Sequence, residues 1–137
     1  MKKQKTRKQL IWELDSVFSQ YIRLRDSDSQ WIVVCPLCKK RIPRKQAQNM
    51  HFISRAVLRY RFNEINCHAW CMRCNVILNW NYIVYTIRMI NTYWKRIVND
   101  MLNDKQLYEL PTPRIRELIE YYNQKKEYLL QHKRFSI

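Results

Sequence analysis

Cys35-Pro36-Leu37-Cys38 and Cys71-Met72-Arg73-Cys74 decide how this chain folds. Two residues between thiolates let one tight knuckle present both sulfurs to a tetrahedral ion, and two knuckles complete a closed, structural four-cysteine site. One Zn2+ per chain is the expected cofactor, its binding contributing on the order of 10 kcal/mol to folding. The fifth cysteine, Cys67, falls outside both knuckles and reads as a small buried hydrophobe. An odd cysteine count without a secretion signal favours metal over disulfides.

Cys38 and Cys71 stand 33 positions apart, farther than in a simple zinc ribbon, so something is built into the intervening loop. That loop holds His51, His68, Asn66 and Glu64. Ahead of it, Leu10, Leu14, Val17, Phe18, Tyr21 and Ile22 recur at helical spacing, predicting an N-terminal helix over 9–26 after a frayed basic arm, 1–8. Asp26-Ser27-Asp28-Ser29 is a stop signal. Trp31-Ile32-Val33-Val34 reads as a short strand feeding the first knuckle. Beyond the second knuckle, Tyr82, Ile83, Ile87, Ile90, Trp94, Ile97, Met101 and Leu102 predict one long amphipathic helix ended by Leu110-Pro111. Thr112-Pro113 opens a last helix, with Thr112 as cap and Ile115, Leu118, Ile119, Tyr122 and Leu129 on its core face.

The organisation is therefore a single domain over 1–137, with a zinc module at 31–81 and C-terminal helices at 82–133. Its length suits one domain, and 47% hydrophobic residues suffice for a core. No apolar run is long enough to span a bilayer, so a soluble, cytoplasmic protein without membrane partners is expected. The chain contains no glycine, which excludes phosphate-binding and dinucleotide glycine loops and leaves asparagine for turns of positive φ.

Lysine and arginine number 26 against 11 acids, a net charge of +15 that points to a polyanion. Between Ser29 and Asn99 the only acid is Glu64. Lys39, Lys40, Arg41, Arg44 and Lys45 after the first knuckle, and Arg55, Arg59 and Arg61 after His51, are the expected DNA contacts. If about six neutralise phosphates, log K falls against log salt with a slope near roughly −5. Trp31, Trp70 and Trp80 are available to stack on unpaired bases, with core filling the alternative.

The runs His51-Phe52-Ile53-Ser54-Arg55, Arg61 to His68, and Cys71-Met72-Arg73-Cys74-Asn75 resemble the NinG/Rap family of phage recombination endonucleases. Their order also resembles the wider HNH, or ββα-metal, nucleases. The resemblance implies an α+β, mainly helical fold: a zinc-stapled, treble-clef-like core with flanking helices. It implies a DNA endonuclease cutting branched recombination intermediates, such as Holliday junctions and D-loops, in a phage-infected bacterial cell. By that likeness His51 is the general base, Asn66 holds the hairpin loop, and Asn75 binds a catalytic Mg2+ or Mn2+. His68 and Glu64 are candidate further ligands. Met50 stands where many HNH nucleases carry an acidic ligand. Two other readings remain: a catalytically silent zinc module that binds nucleic acid, and a sequence-specific restriction or homing nuclease. A homodimer through the flanking helices is the expected assembly for a junction that needs two cuts.

Overall fold

The computed structural model describes residues 1–78 and 82–133, excluding the side chains of Ile77 and Leu78; Trp80 lies outside the described residues. Helix α1 runs Arg7–Arg25, starting inside the expected basic arm. A capping box explains the early start: the Thr6 hydroxyl accepts from the Gln9 backbone N–H, and the Gln9 side chain accepts from the Thr6 N–H. Its apolar stripe is buried as the periodicity demands, from Leu10 and Leu14 to Tyr21 and Ile22.

Two small antiparallel hairpins follow. Strand β1 (Ile32–Val34) pairs with β2 (Arg41–Pro43), and the first knuckle forms the turn between them. After a 3-10 turn at Arg44–Gln46, β3 (Gln48–His51) pairs with β4 (Cys67–Trp70). Their long connection holds the short helix α2 (Leu58–Arg61). The second knuckle then opens α3 (Met72–Leu78), giving the order hairpin then helix.

Helices α4 (Tyr82–Tyr93) and α5 (Lys95–Asn103) replace the single long helix expected there. The break is Trp94, at φ 79° and ψ 144°. The buried face also differs from the expected one. Met101 turns inward as expected, but Tyr85, Met89 and Val98 are buried with it while Ile83, Ile87 and Trp94 are exposed. The inner face wins because Tyr85 packs edge-on against Trp70 and Phe52 of the hairpin. Helix α6 (Thr112–His132) begins with Pro111 as the cap, and Thr112 lies inside the first turn rather than capping it.

Among the described residues positive φ falls at Trp31, Lys39 and Trp94 and not, as expected, at an asparagine. Local contacts hold two of them. The Arg44 backbone N–H donates to the Trp31 carbonyl, and the Lys39 N–H donates to the Cys35 carbonyl inside the knuckle.

The β3–β4 hairpin lies between two apolar clusters. On one side α1 and α6 pack together around Phe18, Ile115 and Tyr122, and reach Cys67. On the other, the knuckles, Met50, Trp70, α4 and α5 form a second core. Among the described residues no helix is long and apolar enough to cross a membrane.

Candidate metal cluster and hairpin cleft

Cys35, Cys38, Cys71 and Cys74 come together with all four sulfurs within 4.8 Å of one another. The Cys38 and Cys71 sulfurs are 3.8 Å apart, the edge expected of a tetrahedron with metal–sulfur bonds of about 2.3 Å. The backbone prepares the site: the Cys35 N–H donates to the Lys40 carbonyl, and the Cys74 N–H lies 3.4 Å from the Cys71 sulfur. Burial pushes the Cys35 thiol up, but the backbone N–H groups of Cys71, Cys38 and Leu37 outweigh it and lower it to about 7. Cys71 and Cys74 are raised by burial and by the neighbouring sulfurs. Four crowded thiols cannot all ionise without a cation among them, and all four together suit a thiophilic ion such as zinc. Cys67 is fully buried and its thiol is raised by burial, as befits an inert core residue.

His51 ends β3, and the pleat decides what it meets. In the register His51 faces Cys67 while Met50 faces His68, so His51 and His68 project from opposite sides of the hairpin. His51 Nε2 lies 2.9 Å from the Arg61 carbonyl oxygen. A carbonyl only accepts, so Nε2 carries the proton and the lone pair resides on Nδ1. Burial holds the imidazole below its usual pKa, and the charges of Arg55 and Arg61 add to the effect.

His51 lines an open cleft of about 450 Å³ with Asn49, Ser54, Arg55, Asn75 and Tyr82. Asn75 donates its amide to Gln48 at 2.7 Å, which leaves its oxygen as an acceptor. The Asn49 amide oxygen is buried without a hydrogen-bond partner among the described residues. Asn66 is fully buried. Its oxygen accepts from the Ile53 N–H at 2.7 Å, and its amide donates to the Ile53 and Tyr60 carbonyls at 3.0 Å. One side chain thus ties the start of the hairpin connection and its helix α2 to the residue that precedes β4.

Two expected ligands are elsewhere. His68 is wedged between the hydroxyls of Tyr85 (3.1 Å) and Tyr93 (2.6 Å), and burial lowers its pKa to about 4. With both ring nitrogens engaged by tyrosine hydroxyls and its ring outside the cleft lining, His68 is not free to share an ion with Asn75. Glu64 accepts from Tyr21 at 2.5 Å and from Lys125 at 3.2 Å, joining α1 to α6. Burial raises its carboxyl, and those two partners more than reverse the effect. Without either residue, no carboxylate lines the cleft among the described residues. Mg2+ is ordinarily held through one or two carboxylates together with substrate phosphates. The cleft therefore does not fit a resident Mg2+ or Mn2+.

The basic residues divide sharply. Arg61 and Arg55 both pair with Asp15 of α1, Arg59 pairs with Asp104 at 2.6 Å, and Arg41 reaches Asp28 at 3.4 Å. Arg61 and Arg59, partly buried on their carboxylates, brace the fold rather than stand free for phosphate. Lys39, Lys40, Arg44 and Lys45 form no ion pair among the described residues. Trp70 is fully buried in the core, and Trp31 is covered by the Arg44 guanidinium at 4.9 Å. Asp15 escaped sequence reasoning because an acid on the polar face of an amphipathic helix carries no sign of its partners.

Fold and site together define a helix-rich α+β protein whose hairpin-and-helix module is clasped by a four-cysteine, metal-type cluster. The chain belongs to the NinG family, that of the bacteriophage lambda NinG protein, whose family model matches residues 1–132. Comparison with curated proteins and with solved structures gives no match.

Proposed function

We propose that this protein is an HNH-type DNA endonuclease that cleaves branched recombination intermediates, with His51 as general base. The observation that carries the reading is the shared cleft of His51 and Asn75, with the His51 tautomer fixed by the Arg61 carbonyl. In this reading neutral Nδ1 takes a proton from water as the water oxygen bonds to phosphorus. The bond from phosphorus to the 3′ oxygen breaks and that oxygen takes up a proton from solvent, leaving 5′-phosphate and 3′-hydroxyl ends. Arg55, on the cleft wall, offsets charge on the phosphate, and Asn66 holds the loop that orients the cleft. A Mg2+ or Mn2+ ion would have to be held by the substrate's phosphates, since the cleft lining offers no carboxylate among the described residues. Zn2+ held by the four cysteines would be structural, fixing α3 and hence Asn75 against β3. The exposed row Ile83, Ile87 and Trp94 supports a homodimer on a four-way junction.

The missing carboxylate also favours a second reading, a zinc module that binds nucleic acid without cutting it. Supercoiled plasmid and four-way junctions incubated with Mg2+ or Mn2+ separate the two. Cutting by wild type and none by His51→Ala supports the nuclease. Equal cutting by both removes His51 from the chemistry, and tight binding with no cutting selects the silent module. A single preferred site on linear duplexes would instead indicate a sequence-specific nuclease.

A further inference from the structure

Beside the His51 cleft, a groove of about 240 Å³ runs between α1 and β3. Asp15, Ser19 and Arg23, spaced four residues apart on one face of α1, form one wall. Ala47, Gln48 and Asn49 of the β3 side form the other, and His51 and Arg55 close the end. Asn49, His51 and Arg55 also line the cleft, so the two spaces adjoin. At its far end Arg23 belongs in turn to a third concavity, of about 220 Å³, with Gln20, Arg44 and Lys45. The three spaces follow one another through shared lining residues, a track from His51 by way of Arg23 to Arg44 and Lys45.

The charges along that track are unevenly satisfied. Near His51, Arg55 is already paired with Asp15. At the far end Arg23, Arg44 and Lys45 converge with no carboxylate in ion-pair distance among the described residues. Burial lowers the Arg23 pKa, and the neighbouring Arg44 charge lowers it further. Lys126 of α6, held by Gln20, is lowered by burial and by the same two arginines. Like charges gathered in a concave, partly dry site repel one another unless an anion joins them.

We propose that the Arg23–Arg44–Lys45 pocket is a second phosphate site, gripping the DNA backbone that leaves the His51 cleft along the α1–β3 groove. This rests on the nuclease reading for its direction but not for its existence. The eight residue steps from Asp15 to Arg23 span about 12 Å of helix. The gripped phosphate is therefore only a few nucleotides from the one at His51. A duplex arm or an unpaired strand presents the same backbone chemistry.

The test is DNA binding by fluorescence anisotropy across a salt series in EDTA, so that cutting plays no part. Wild type is compared with Arg23→Gln/Arg44→Gln, and with Lys2→Gln/Lys3→Gln as a control of equal charge loss at the exposed N-terminus. Circular dichroism checks that each is folded, and Lys45→Gln, which removes one charge from the same pocket, serves if the double variant is not. The pocket variant should bind about tenfold more weakly, with the salt slope reduced by about one to two, while the control changes less. Equal losses in the two variants, or an unchanged slope in the pocket variant, overturn the proposal. A methylphosphonate walked along the strand should weaken wild type at one position beyond the cut site and leave the pocket variant indifferent there. Weakened binding by a protein that never cuts would uphold this site and sink the nuclease reading. Normal binding and cutting by the pocket variant would do the reverse. Single-stranded and duplex probes in parallel tell which form of backbone the pocket holds.

Discussion

The Nε2 atom of His51 lies 2.9 Å from the carbonyl oxygen of Arg61, whose guanidinium is clamped by Asp15 of α1. The carbonyl that selects the tautomer is thus itself held by an ion pair reaching 46 residues back along the chain. Asp15→Asn should separate positioning from binding. Freed of Asp15, Arg55 and Arg61 gain positive reach, so DNA binding holds or tightens, while cutting slows by about tenfold as His51 loses its register. Asp15 also raises the His51 pKa through its charge, so the acid limb of the variant's profile moves to lower pH. Parallel loss of binding and cutting would argue against the clamp.

The pH profile of cutting carries its own sign. The general base works as the neutral imidazole, and burial pushes the His51 pKa below its ordinary 6.5. Activity therefore rises with pH, passes half-maximum below pH 6.5 and is flat at neutrality. Single-turnover rates on a junction at saturating protein check this. A midpoint above 6.5 would mean that another group takes the proton. His51→Ala should remove about 10²–10⁴ in rate with binding intact.

Stability should also fall on acidification, and His68 is the reason. Its pKa drops to about 4 in the folded chain because it is buried between Tyr85 and Tyr93. Between pH 6.5 and 4 the unfolded chain binds a proton that the folded one refuses, so the stabilisation is complete above the unfolded value and is lost as pH falls. About 3 kcal/mol is at stake. Urea midpoints from pH 7 to pH 4 should decline less steeply in His68→Gln than in wild type, and equal slopes would acquit His68.

Asn66→Ala should unfold more than it inactivates. The amide satisfies the Ile53 N–H and carbonyl and adds to the Tyr60 carbonyl, which also accepts from the Asn63 N–H, so its loss strands the two Ile53 groups at a cost of about 2 kcal/mol or more. Thermal denaturation reads the change. A stable Asn66→Ala protein that still fails to cut would move Asn66 from the scaffold into the chemistry.

The apolar period of α1 was readable because one side of that helix is simply buried, and the knuckles because cysteine spacing maps directly onto metal geometry. The face of α4 was not. Ile83 and Ile87 are as apolar as Tyr85 and Met89, and only the presence of Trp70 and Phe52 on the hairpin decides which pair turns inward. His68 misled for a related reason. Spacing places a histidine near a cysteine pair, but the pleat of β4 sends it to the side away from His51. Which arginines are free was equally hidden, since Asp15 and Asp104 reach theirs from distant segments.

Trp94 supplies the last test. At φ 79° and ψ 144° it occupies backbone territory that suits glycine, at a cost of about 1–3 kcal/mol for a residue with a Cβ. The residue is 79% exposed, so little burial within the chain offsets that cost. Its backbone N–H still donates to the Ile90 carbonyl, a bond glycine would keep. Trp94→Gly should therefore stabilise the isolated chain by about 1 kcal/mol after allowing for the freer unfolded state. If the indole joins Ile83 and Ile87 in covering a second copy, the same substitution should lower the sedimentation mass at high protein concentration. A variant less stable than wild type even at concentrations where only monomer is present would show that the strain at Trp94 is offset inside the chain, and the exposed tryptophan would lose its claim on a partner.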